Sequence, residues 1–196
     1  MARTKEQNER IRQNTKSKIH SAAIVCFSQN GFGKTTMQEL ANYAEISVGS
    51  LYRHYKTKEE LFDALVDEAI LGQEYLIKQM ETHPPKEAIK WLIEEVVSDF
   101  SKGTEFSHQM KIMLENTGDK QIEGNNRVIL SIAGMIKQGQ KDGIFTNGNP
   151  VQLAQFLVAT IQGLCSMQLL FKDDFIIPTS AQIASFLEGD KQNAHH

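Results

Sequence analysis

The feature that most constrains this 196-residue chain is the stretch TTMQELANYAEISVGSLYRHYKTKEELFDAL, residues 35–65, where helix-start signals recur at short intervals. Thr36 and Glu39 have capping-box spacing, in which a hydroxyl and a carboxylate three residues apart satisfy orphan amides at a helix start. Met37, Leu40, Ala41 and Ala44 follow on one helical face. Glu45-Ile46 breaks that pattern, and Ser47 can cap a second short helix running to about Tyr55. Thr57 to Glu60 repeats the capping-box spacing and opens a longer helix. Two short helices around a turn of a few residues make a helix-turn-helix, the unit that sets one helix into the DNA major groove.

Elsewhere the chain is dominated by long segments with helical periodicity, and no run of alternating strands appears, so the expected fold is all-α. No continuous apolar run approaches the ~18 residues of a membrane span, and the first twenty residues are polar and basic. Neither a transmembrane helix nor a secretory signal is expected, which makes the cytoplasm the expected location. A net charge of −3 conceals an uneven split: residues 1–60 hold ten Lys and Arg against six Asp and Glu, the remainder eleven against eighteen. A basic front and an acidic back suit a protein that offers one end to a polyanion. Cys26 and Cys165 lie far apart on apolar helical faces, as buried thiols in a reducing compartment would.

The residues Phe27, Gly31-Phe32, Thr35-Thr36, Leu40-Ala41, Ile46-Ser47, Gly49, Leu51-Tyr52, His54-Tyr55, Lys58 and Leu61 go beyond a generic helix-turn-helix. Over roughly Ile19 to Leu65 the chain resembles the DNA-binding domain of the tetracycline-repressor (TetR) family of bacterial transcription regulators. That resemblance implies an N-terminal arm and three-helix DNA-binding domain over residues 1–57. It implies a larger helical effector-binding and dimerisation domain over 58–190 with a connecting helix over 58–80; residues 191–196 read from their composition as a polar tail. By the same resemblance Tyr52, His54 and Lys58 contact phosphates. Thr36 and Ser47 cap helices with hydroxyls that can also meet phosphate, and Gln38, Val48, Gly49, Ser50 and Arg53 face base edges. Family members often carry glycine where this chain has Glu45; a positive φ there costs a non-glycine residue roughly 1 kcal/mol.

The first helix is expected from about Asn14 to Gln29, with Ile19, Ala22, Ala23, Cys26 and Phe27 buried. Residues 1–14 then form a loose arm. Its basic residues, with Lys16 and Lys18, are either a solvated charge run or an arm that reaches DNA backbone or minor groove. The second domain reads as helices over about 86–101, 104–116, 119–141, 150–171 and 179–188, with Phe106, Met110, Met113 and Leu114 inward on the second of these. The last two helices, with broad apolar stripes, are expected to pair a homodimer.

The resemblance implies a pocket for a small-molecule effector in the second domain, for which Trp91, Phe100, Phe106, Met110, Met113, Met135, Phe156 and Met167 are candidates, although most such residues in any helical domain are plain core. No metal-ligand spacing, P-loop, GxSxG or dinucleotide fingerprint occurs, so neither a cofactor nor catalysis is expected. The chain therefore reads as a dimeric, ligand-responsive regulator, a repressor released from a palindromic double-stranded operator. The alternative is a helical adaptor using the helix-turn-helix to bind protein, which an acidic recognition helix would have favoured. Glu45 is the only acidic residue between Ala41 and Lys58.

Overall fold

The computed structural model describes residues 5–115 and 118–188, which form nine α-helices and no named strand. These are α1 (Lys5–Asn30), α2 (Met37–Tyr43), α3 (Val48–His54), α4 (Lys58–Glu81) and α5 (Pro85–Lys102), followed by α6 (Glu105–Glu115), α7 (Asp119–Lys141), α8 (Pro150–Phe171) and α9 (Ser180–Ala184). Single 3-10 turns follow α8 and α9.

The starts follow local chemistry. Thr36 and Glu39 close a complete capping box on α2, and Ser47 Oγ accepts the Ser50 amide at 3.1 Å to open α3. Thr57 Oγ1 accepts the Glu60 amide at 3.1 Å, but the Glu60 carboxylate reaches back to the Lys56 amide at 2.6 Å, so this box is offset by one residue. Asn149 caps α8 through the Val151 and Gln152 amides, with Pro150 at the first helical position.

The turn between α2 and α3 explains why these helices sit as a helix-turn-helix. The Ile46 amide donates to Ala41 O and the Glu45 amide to Asn42 O, the paired bonds of a Schellman motif. Glu45 occupies its left-handed position at φ 55°. The same motif ends α7, where Ile144 donates to Gly139 O and Gly143 to Gln140 O, and there the left-handed residue is glycine at φ 68°. Glu45 therefore carries the steric cost that the sequence suggested.

Two apolar clusters hold the chain. One joins α1, α2, α3 and the first half of α4 around Phe27, Leu40, Leu51, Leu61 and Leu65, and it also takes in Ile112 and Met113 of α6. The other joins α5, α7, α8 and α9 around Ile93, Phe100, Ile132, Ile136 and Leu157. α6 thus lies against the DNA-binding end, and a division of packing at residue 58 does not hold. α6 is sandwiched between α1 and α8, so it buries two faces. Ser107 and His108 are buried, whereas Leu114, expected inside, is 40% exposed.

Other expectations are corrected by the same packing. α1 begins at Lys5, not near Asn14, so the expected loose arm is helical from Lys5 onward; Arg3 lies outside the described residues. The last helix is shorter than 179–188, with α9 ending at Ala184 and giving way to a 3-10 turn. Both cysteines are buried, and burial pushes the Cys165 thiol up to about 11 and raises Cys26. α8, over its full 22 residues, contains no charged side chain, and by length and composition it passes as a membrane span although no continuous apolar run does.

Replacing Glu45 with glycine removes the left-handed strain while leaving both backbone bonds of the turn in place. Thermal or urea unfolding is expected to show a gain of about 1 kcal/mol, reduced in part because glycine also loosens the unfolded chain.

Candidate nucleic-acid interface

α3 is a seven-residue helix with one buried side chain, Leu51, which anchors it in the first cluster. Its outer surface carries Gly49, Tyr52 and Arg53, all exposed, with Val48, Ser50 and His54 partly so. A side chain at Gly49 would meet nothing within 4 Å, so the backbone there is open to close approach from outside. On α2, Gln38 is exposed and donates to Asn42 Oδ1 at 2.9 Å. Thr36 and Ser47 are exposed with their hydroxyls committed to caps. Gln38, Val48, Gly49, Ser50, Tyr52, Arg53 and His54 all belong to one two-helix unit, and the chemistry of that surface is that of donors and small groups.

Its placement is set by two residues that carry no DNA role in the sequence reading. Tyr55, immediately after α3, is buried and its hydroxyl lies 2.6 Å from His20 Nε2 of α1. The other nitrogen of His20 lies 2.6 Å from a Glu68 carboxylate oxygen on α4. This three-residue chain ties the end of α3 to both long helices of the domain. Burial raises the Tyr55 phenol above its ordinary range, with Glu68 and Glu60 adding to it, so the hydroxyl keeps its proton. Tyr55 stood within the recognised motif; His20 had only its place on the apolar face of the first helix to mark it.

Lys58 behaves differently from expectation. Its ammonium donates to Phe32 O at 2.7 Å and Thr35 O at 3.0 Å, with Gly33 O at 3.4 Å, and sits 4.6 Å from the Phe32 ring centroid. The three carbonyls belong to the loop between α1 and α2. Lys58 is a clamp on that loop, and a phosphate contact would require it to abandon these partners.

The electrostatics concentrate positive charge at the end of α3. Burial first, then Arg12, Arg53 and Lys16, hold the His54 imidazole below its ordinary range, so it is neutral at neutral pH and retains one N–H donor. At the other end of the unit the Glu39 carboxyl is held low by its bonds to the Thr36 backbone and hydroxyl, which keeps the capping box charged.

The eight side chains considered for an effector pocket do not surround one cavity. Phe156 and Met167 face outward at 57% and 53% exposure, and Met113 packs in the first cluster. Phe100 is buried against Phe106 and Phe175, Trp91 stacks on His83, and Met135 packs against the second cluster. Met110 lines a cleft of about 380 Å³ between α6 and α8 with Ser107, Gln162, Cys165 and Leu169, and Phe106 lines a separate one of about 240 Å³. Aromatic and sulfur content marked core and outer surface alike, which is why composition could not find either cleft. Among the described residues no cluster of metal-ligating side chains occurs.

An exposed, donor-bearing second helix of a helix-turn-helix, joined to a larger helical domain, defines a DNA-binding transcription regulator. Residues 19–65 match the family model described as bacterial regulatory proteins, tetR family. Over those residues the chain carries the DNA-binding domain of that family. It is 24% identical over 187 residues to the transcriptional regulator TtgR of Pseudomonas putida, covering 87% of this chain and 86% of that one. Over 49 residues it is 47% identical to the transcriptional regulator QacR of Staphylococcus aureus, covering 25% of this chain and 26% of that protein. Its fold matches SmeT, the repressor of the Stenotrophomonas maltophilia multidrug efflux pump SmeDEF, with a TM-score of 0.65 at 19% identity, over 91% of this chain and 94% of that one.

Lys58→Met keeps the stem that packs on Phe32 and removes the ammonium from three carbonyls. Unfolding measurements are expected to show a loss of about 1.5–3 kcal/mol, the range for hydrogen bonds to charged groups. A variant as stable as the parent, with a reduced salt dependence of DNA binding, would assign Lys58 to phosphate instead.

Proposed function

We propose that this regulator is a homodimeric, cytoplasmic repressor that leaves an inverted-repeat operator when a small, largely apolar effector binds. The observation that carries this reading is the junction at Ser107 and His108. The Ser107 hydroxyl donates to Gln168 Oε1 on α8 at 2.6 Å, while His108 Nδ1 lies 2.8 Å from the Ser28 hydroxyl on α1. Two successive residues of α6 therefore grip the effector-side helix and the DNA-side helix. Lys111 adds a bond to Ser28 O at 2.7 Å, and Ser21 donates to Glu105 at 2.7 Å.

The cleft between α6 and α8 opens on this junction, and Ser107 is part of its lining. Its size falls within the usual range of small-molecule sites, about 300–1,000 Å³. An effector wedged there separates Ser107 from Gln168 and shifts α6. Because α6 is bonded to α1, and α1 to α3 through His20 and Tyr55, the shift reaches the recognition helix. α4 runs through both clusters, is bonded to α1 where Glu68 meets His20, and remains a second connector. The similarity to SmeT, of which a complex with triclosan has been solved, supports an apolar effector for this chain.

Dimerisation follows from the outer face of α8. Phe156, Ala159, Gly163, Met167 and Leu170 recur on one side of a helix without charge, and Phe156 meets Phe186 edge-on at 4.7 Å. Leu170 is 73% exposed and Ile176, just beyond, 89%. A second copy of this face is the partner that removes so much apolar surface from water, forming a four-helix bundle with the segment around α9. A pair of α3 helices is then presented to half-sites about 34–36 Å apart, or a multiple of that.

Within α3, Arg53 is the exposed side chain able to bond two acceptors of a guanine edge. Arg53→Ala is expected to lower operator affinity about tenfold or more and to change affinity for random DNA far less. Equal losses on the two DNAs would make Arg53 a phosphate contact.

The coupling is checked by measuring effector affinity with and without saturating operator, since each must weaken the other by the same factor. Ser28→Ala is expected to keep operator binding and to reduce that factor. A factor of one in the parent would leave a constitutive DNA binder.

A further inference from the structure

The core-facing side of α1 continues well beyond the core. Ala23, fully buried, lies at the centre of the buried stripe formed by Ile19, Ala23, Cys26 and Phe27. At about 3.6 residues per turn, Lys16, Arg12 and Lys5 return to within about 20° of the direction of Ala23. Positions that would meet core farther along the helix here carry cations. All residues from Lys5 to Asn14 are exposed, as are Lys16 and Lys18.

Three further observations bear on what faces this ridge. Lys5, Arg12 and Lys16 make no ion pair among the described residues, whereas six other pairs are formed. Glu9 shares the face and accepts Gln13 Nε2 at 2.9 Å, so the ridge sets three cations against one carboxylate. The helix is pinned beside the recognition helix, because His20 holds the Tyr55 hydroxyl directly after α3. From His20 back to Lys5 the rise is about 22 Å, so the ridge overhangs the end of α3 by several turns. The charges of Arg12 and Lys16 are felt at His54, the last residue of α3.

An apolar overhang would call for a protein partner. A basic overhang beside a DNA-reading helix calls for a polyanion. A helix about 10–12 Å across cannot enter a minor groove about 6 Å wide, and α3 takes the major groove of the half-site, which leaves the neighbouring backbone to this ridge.

We infer that Lys5, Arg12 and Lys16 form a rigid rail that binds the phosphodiester backbone flanking the half-site read by α3. This rests on the DNA-binding reading above. The rail lengthens the footprint of each subunit without adding sequence preference. It also links affinity to the same long helix that α6 grips at Ser28, so movement of α1 shifts rail and recognition helix together.

The test compares the full-length parent with the triple variant Lys5→Gln, Arg12→Gln, Lys16→Gln. A control is Arg10→Gln with Lys18→Gln, two cations about 140° from Ala23 on the same helix. The operator comes from selection of a random library with the parent. Affinities for operator and random duplex are measured across a salt series, and thermal midpoints check folding. For the triple variant, the log–log salt slope is expected to flatten by about 3 per bound subunit, each phosphate contact contributing about 0.9. The ratio of operator to random affinity is expected to stay constant, and the control to keep the parent slope. Should the triple variant unfold, Arg12→Gln alone is expected to flatten the slope by about 1. A parental slope in the triple variant, a changed operator-to-random ratio, or an equal loss from the control would overturn the rail while leaving the DNA-binding reading intact. A parent that binds neither duplex would overturn both.

Discussion

The contact on which the rest of the structure depends is the one between Ser28 and α6. Near the end of α1 its hydroxyl meets His108 and its carbonyl receives Lys111. Burial, then the charge of Lys111, holds the His108 imidazole below its ordinary range, so it stays neutral there. A neutral imidazole and a serine hydroxyl can be buried together because each supplies what the other lacks. Without this seam α6 would hold the DNA-binding end only by the packing of Ile112 and Met113 and the Ser21–Glu105 bond, beside α4. With it, α1 is held at Ser28 by α6 and at His20 by α3 and α4.

Rigidity of the reading surface comes from contacts made within the protein. Tyr55, His20 and Glu68 fix where α3 ends, and Lys58 closes the loop before α2. Glu45 sits in a conformation suited to glycine, and the Schellman bonds around it over-determine that choice. The outer face is thereby left free to be polar and exposed, with little conformational entropy left to lose when DNA arrives.

α8 shows how composition and packing can point to different environments. A helix without a single charge has the makeup of a membrane span, yet only 28% of its most apolar window is buried within the chain. The buried side carries Ala154, Leu157, Ile161, Cys165 and Gln168, while on the other side Phe156, Met167 and Leu170 are half or more exposed. Gln168 is the exception that orders the helix, donating to Phe100 O and Gly103 O while accepting from Ser107.

The helix-turn-helix was legible because its signals are local. Capping hydroxyls, a break at Glu45-Ile46 and a short apolar face act within one or two turns, so spacing alone locates α2, α3 and the start of α4. The helices of the second domain, apart from the last, were legible for the same reason, as was the burial of the cysteines. What could not be read was the result of packing between distant segments. The two-sided burial of α6, the turning inward of Lys58, the outward facing of Phe156 and Met167, and the bond from His20 to Tyr55 are each decided by what arrives from elsewhere in the chain. The helical start of α1 belongs with these, since a charged segment without an apolar face of its own gives no periodic signal, although α1 continues it in register. Sequence determined which segments are helices and which surface is basic, because propensity, capping and charge are properties of neighbours in the chain. Tertiary structure alone decided which side chains hold the domains together and which are left to meet DNA, because burial and hydrogen-bond satisfaction are settled between surfaces, not within a segment.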